Sequence, residues 1–69
     1  METIKLADGR TVSKNDYIEA KTAQLIEFGY PTLTKDEVSN QLEKLIHGES
    51  LTVIGKMMEG DIHSQSIKN

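Results

Sequence analysis

Leu33-Thr34-Lys35-Asp36-Glu37-Val38-Ser39-Asn40-Gln41-Leu42-Glu43-Lys44-Leu45-Ile46-His47-Gly48 carries its own start, apolar stripe and stop. Thr34 followed three residues later by Glu37 is a capping-box pattern, and Leu33 with Val38 has the spacing of a hydrophobic staple. Val38, Leu42, Leu45 and Ile46 recur at i, i+4, i+7 and i+8, which puts them on one face of a helix. Gly48 is a natural terminator, with Lys44 and His47 in the last turn, where cations suit the negative end of the helix dipole. The spacing predicts an amphipathic helix ending at Gly48.

Working toward the N-terminus, Tyr30-Pro31 predicts an extended connector, because the residue before a proline avoids helical geometry. Upstream, Ser13 is a good N-cap with Asp16 in the first turn, and Gly29 is placed to stop a helix at about Phe28. Tyr17, Ile18, Leu25 and Phe28 share a stripe of roughly 100°, with Ile26 on its flank. Before this helix, Thr3 to Val12 reads as a β-hairpin around Asp8-Gly9. A two-residue Asp-Gly loop would pair Lys5 with Val12 and send Val12 to the face opposite Ile4 and Leu6. A three-residue loop Ala7-Asp8-Gly9, with Gly9 left-handed in a bulge, pairs Ile4 with Val12 and puts all three on one face. The bulged turn is the expected one, because only it gives the hairpin a single apolar side.

Toward the C-terminus, a third helix is expected to start at Ser50 or Thr52 and end at Gly60. Gly55 in its middle costs about 1 kcal/mol relative to Ala. Leu51, Val53, Ile54, Met57 and Met58 spread over roughly 160° of its circumference, wider than the stripe a peripheral helix needs. Three readings fit this breadth: a central helix touched by the hairpin on one side and the first two helices on the other, close helix packing at Gly55, or a face left partly exposed around Met57 and Met58. From Asp61 to Asn69 the residues are polar apart from two isolated isoleucines, which predicts a flexible tail. The resulting expectation is an α+β fold: a short N-terminal β-hairpin followed by three α-helices, mostly helical, with one small core. Residues 1–60 form its single compact domain and residues 61–69 its tail. The expected core is Ile4, Leu6, Val12, Ile18, Leu25, Phe28, Leu33, Val38, Leu42, Leu45, Ile46 and Ile54.

Composition narrows the function classes. A chain of 69 residues buries only about 60% of its unfolded surface, so its core is thin. It has no cysteine, hence no disulfide and no thiolate metal site, which fits the cytoplasm. Met1-Glu2-Thr3-Ile4-Lys5 opens a polar/apolar alternation rather than a basic segment with an apolar run, which reads against a secretory signal. The longest apolar runs are pairs such as Val53-Ile54 and Met57-Met58, far short of a membrane span. Net charge is −3 with Lys and Arg scattered singly, a composition that argues against phosphate-dominated nucleic-acid binding.

Catalytic and metal chemistry find little support. His47 and His63 fall on separate elements, without the spacing of a ligand pair. Ser13, Ser39, Ser50, Ser64 and Ser66 lie at caps, on a helix surface or in the tail, and none has a nucleophile-elbow context. The glycines are isolated, so no phosphate-cradling loop is formed. No catalytic residue, cofactor, metal or small-molecule substrate is assigned.

The expectation is a non-enzymatic cytoplasmic module that contacts a protein partner, or a second copy of itself, through the apolar face of the third helix. Its contact residues would be Val53, Met57 and Met58, since methionine adapts its shape to varied surfaces. Tyr30, an aromatic in a rigid connector, would add an anchor. The alternative is a DNA-binding regulator in which the second and third helices act as a helix-turn-helix. Thr52, Lys56 and Glu59 on the third helix are poor chemistry for reading bases.

Overall fold

The computed structural model describes residues 2–67. Strands β1 (Thr3–Lys5) and β2 (Thr11–Ser13) pair antiparallel, with Thr3 opposite Ser13, Ile4 opposite Val12 and Lys5 opposite Thr11. This is the register of the three-residue loop. The Leu6 N–H donates to the Arg10 carbonyl at 2.7 Å and the Gly9 N–H to the Leu6 carbonyl at 2.9 Å. Gly9 adopts φ 93°, the left-handed geometry that the bulge demands. The Arg10 N–H, displaced from the ladder, is taken up by Asp8 Oδ1 at 3.0 Å. Ile4 is buried, and Leu6 and Val12 pack half-buried against the core beside it.

Helix α1 spans Lys14–Phe28 and α2 spans Lys35–Ile46. Each begins where its hydroxyl cap stands: Ser13 Oγ accepts the Asp16 N–H, and Thr34 Oγ1 accepts the Glu37 N–H. Gly29 ends α1 with φ 143°. Past α2, the Glu49 N–H donates to the Lys44 carbonyl and the Gly48 N–H to that of Leu45. That pair of bonds is a Schellman closure, with Gly48 at φ 73°. Leu33 and Val38 are both buried, as a staple requires.

Helix α3 is shorter than its sequence suggests. It spans Val53–Met58 and tightens into a 3₁₀ turn over Glu59–Asp61. The Thr52 hydroxyl forms no cap bond. Instead, Gln41 Oε1 of α2 accepts the Thr52 N–H at 2.9 Å, so one helix caps another. Gly55 lies against the same carboxamide. A Cβ there would stand 2.6 Å from Gln41 Oε1 and 2.8 Å from Leu51 Cδ2. Close packing is thus what the glycine provides.

The chain leaves α3 early because its next residues return to the hairpin. Ile62 forms an antiparallel bridge with Leu6. The Ala7 N–H donates to the Asp61 carbonyl at 2.8 Å and the His63 N–H to the Lys5 carbonyl at 2.9 Å. Ile62 is 3% exposed, Ile67 is partly buried against the core, and a further 3₁₀ turn spans Ser64–Ser66. The expected boundary at residue 60 is therefore not where packing ends. Residues 61–67 belong to the folded body, while residues 1, 68 and 69 lie outside the described residues.

Val38, Leu42 and Met58 are the most completely buried large side chains, surrounded by Ile4, Tyr17, Ile18, Leu25, Leu33, Leu45 and Ile62. Tyr17, Met58 and Ile62 thus join the expected core. Ile46 and Ile54 sit at its edge. Phe28 is a correction: its ring is 73% exposed. The chain turns away after Gly29, and the ring stacks on Tyr30 with centroids 6.5 Å apart. Among the described residues, no helix is long and apolar enough to cross a membrane.

Met58→Ala and Ile62→Ala are each expected to remove about 2–5 kcal/mol of stability. The total for a chain of this size is roughly 3–10 kcal/mol. Phe28→Ala should cost less than about 1 kcal/mol. Urea unfolding checks the ranking, and a Phe28 loss equal to that at Ile62 would contradict the placement of either ring or isoleucine. Gly55→Ala adds about 1 kcal/mol of helix propensity but overpacks by about 1–3 kcal/mol. A net loss is expected, because Gln41 cannot retreat without releasing the Thr52 N–H. A more stable alanine variant would show the contact to be loose.

Candidate functional site

Two concave surfaces flank α1. The apolar one opens where the α1–α2 connector meets the start of α3. Gly29 to Leu33, Glu37, and Thr52 to Ile54 line a groove of about 340 Å³. Its shape follows from three local facts. Gly29 turns the backbone out of α1, Pro31 stiffens the connector, and Gln41 anchors Thr52 so that Val53 and Ile54 stand opposite. Val53 is 59% exposed, and the stacked rings of Phe28 and Tyr30 extend the apolar surface beyond the groove.

Of the four residues expected to bind a partner, the structure brings Tyr30 and Val53 together on this groove. Met57, one turn after Val53, is half-buried and packs against the core. Met58 is a correction: it is 0% exposed and belongs to the buried core, so no partner reaches it. The breadth of the α3 face has a plain cause. The helix is covered on one side by α2 and leaves Val53 outside. Phe28, expected in the core, and Glu37, expected in a cap, are exposed, while Ile54 is half-buried at the edge of the core and also lines the groove. For Phe28 the available signal was its position as the last residue before the glycine stop, where a helix stripe outruns its neighbours.

The second surface is a groove of about 720 Å³ between the hairpin turn and α1, lined by residues including Leu6, Val12, Arg10, Tyr17, Lys21 and Asp61. Its polar groups satisfy one another. Asp61 Oδ2 accepts the Tyr17 hydroxyl at 2.8 Å and pairs with Lys21 Nζ at 2.6 Å, while Lys21 also donates to Gln24 Oε1 at 2.7 Å. The Lys21 ammonium lies 5.9 Å from the centre of the Tyr17 ring. Arg10 Nε donates to Asp8 Oδ2 at 2.7 Å. The Arg10 backbone N–H and then its guanidinium hold the Asp8 carboxyl below the usual range. Burial, and then the bond to the Asp61 carboxylate, push the Tyr17 phenol above its ordinary value. This groove reads as a structural knot, fastening the 3₁₀ turn to α1.

His47 and His63 are spent locally. His47 Nδ1 contacts the Glu43 carbonyl at 2.8 Å, and His63 Nδ1 accepts the Gln65 N–H at 3.1 Å. Among the described residues, no group of three metal-ligating side chains converges.

The fold favours the neutral Tyr17 phenol, so its folded pKa lies above the ordinary 10.0. The stabilisation from this group is therefore complete below about pH 10 and declines as pH rises further, by up to about 1.4 kcal/mol per pH unit. Tyr17→Phe should flatten this alkaline decline in urea midpoints, and Tyr30→Phe should leave it in place. An unchanged slope in the Tyr17 variant would assign the decline elsewhere.

Comparison with known proteins returns no match: no family, no curated protein and no solved structure is detectably similar to this chain. What the chain does has to be argued from its own surfaces.

Proposed function

We propose that this chain is a small, non-catalytic cytoplasmic docking module that binds a protein partner through the groove of Tyr30, Pro31, Leu33, Val53 and Ile54 and the Phe28 ring above it. The observation that supports this most is the exposure of Phe28 (73%) and Val53 (59%) beside one apolar concavity. Where the core holds ten buried apolar residues among the described residues, an exposed phenylalanine contributes little to folding, and its burial is worth more against a partner. Covering Phe28, Tyr30 and Val53 would recover about 1.5–3 kcal/mol for each side chain fully buried. Association itself costs about 4–15 kcal/mol, so a surface of this size suits a transient contact.

The reading narrows the original expectation from the whole apolar face of α3 to its first turn and the connector facing it. It also leaves α3 little scope as a recognition helix. Six residues, Val53–Met58, span about 9 Å, and two of them, Gly55 and Met58, are buried.

A photo-crosslinking phenylalanine analogue placed at position 28 tests the proposal in extract from the source cells, with Asn15 as the control position, exposed at the opposite end of α1. Discrete adducts at position 28 that are missing at position 15 and are lost on Val53→Asp are expected. An adduct of twice the chain's own mass would identify the partner as a second copy. Matching adduct patterns at both positions, or none at either, would overturn the assignment.

A further inference from the structure

The wall of the apolar groove includes a charge that the fold itself leaves unused. Glu37 stands where a capping box would turn its carboxylate back to the Thr34 N–H. Among the described residues only the other half of that box is made, from the Glu37 N–H to Thr34 Oγ1. Glu37 lines the groove, and its carboxylate makes no hydrogen bond or ion pair among those residues. Asp36 beside it and Glu27 beside Phe28 are also exposed and without a cation among the described residues. Of the seven Lys and Arg among the described residues, four are committed elsewhere: Arg10 to Asp8, Lys14 to Glu2 and Glu43, Lys21 to Asp61, and Lys35 to Glu19. Lys56, one turn beyond Val53, is exposed on α3, and Glu37 is the one charged residue lining the groove.

Charge and size together select an occupant. A second copy docked groove to groove about a twofold axis would gather Glu27, Asp36 and Glu37 of both copies at one interface, an excess of like charge that disfavours self-pairing. A stable globular interface also needs about 800 Å² from each partner, roughly a sixth of this chain's 4567 Å². The groove, about 340 Å³ and bounded by one connector and one helical turn, has the dimensions of an anchor pocket for a few side chains. We infer that its occupant is a short peptide segment of a partner protein, carrying an apolar anchor flanked by Lys or Arg. The apolar side chain enters between Tyr30 and Val53, and the flanking cation meets Glu37. This rests on the docking reading above and names the chemistry of its partner.

The test uses the full ¹⁵N-labelled chain and three pools of short synthetic peptides. All share randomised Leu, Ile, Phe and Trp anchors, and they are flanked by Lys/Arg, by Ser/Gly or by Asp/Glu. The basic pool is expected to bind about two- to fivefold more tightly than the neutral one, the range one exposed ion pair supplies, and the acidic pool most weakly. Amide shifts should centre on Gly29 to Leu33, Glu37 and Thr52 to Ile54. Glu37→Gln keeps the capping N–H and should erase most of the basic preference, while Glu49→Gln, an exposed carboxylate beyond the far end of α2, should preserve it. Equal losses in the two variants would reduce the preference to net charge and overturn the inference. Binding at the groove by all pools alike would overturn it too, yet leave the docking surface standing. Binding by no pool, or only elsewhere, would overturn both.

Discussion

Asp61 holds the architecture closed. Its carbonyl accepts the Ala7 N–H of the hairpin loop, and its carboxylate takes both the Tyr17 hydroxyl and the Lys21 ammonium of α1. One residue therefore fixes the chain after α3 to the hairpin and to the first helix together. The consequence appears one residue later. With Asp61 held, Ile62 is delivered to its bridge with Leu6 and buried at 3% exposure. The outer edge of β1, which would otherwise present unpaired backbone groups, is covered over Lys5 to Ala7. Lys21 and Asp61 are 12% and 37% exposed as side chains, so the ion pair is neither fully solvated nor stranded. Breaking one arm would leave its partner partly desolvated, which costs more than the pair contributes on its own.

The elements whose geometry is specified locally were legible in the sequence. The Gly9 bulge follows from requiring Ile4, Leu6 and Val12 to share a face, and the observed pairing is the one that does so. Ser13 and Thr34 start their helices, and Gly29 and Gly48 stop them, because capping is decided within a few residues. What was not legible is decided between distant residues. Ile62 has no apolar neighbour in its own segment, so no periodicity marks it; its burial depends on the Leu6 bridge. The first turn of α3 is capped by Gln41 from another helix, a contact with no local signature. Phe28 shows the converse failure. Its periodicity is correct, but a stripe gives a direction and does not say whether anything lies opposite at the last turn.

The candidate site was legible in the same partial way. A rigid connector marks Tyr30 and a wide helical face marks Val53, and the fold places the two on one groove. Met58 was misassigned because a helix of six residues cannot display most of a broad face to solvent. The Gly55 contact draws α3 against Gln41 and Leu51, and Met58 on the following turn is thereby sealed inside.

A thin core also explains why the apolar excess collects at this end of the molecule. Residues 61–67 close over the hairpin side, and the ion pairs of Lys14 and Lys21 fasten α1 to α2 and to the 3₁₀ turn. Among the described residues, the last turn of α1, the connector and the first turn of α3 meet one another and the start of α2 around this groove. Phe28 meets Tyr30 there, Val53 faces across, and Leu33 lines the groove between them. The connector cannot fold inward to fill the space, since Pro31 and the buried staple hold it at both ends. The groove is thus a product of the fold's rigid parts, and a surface preorganised in this way loses little conformational freedom when something fills it.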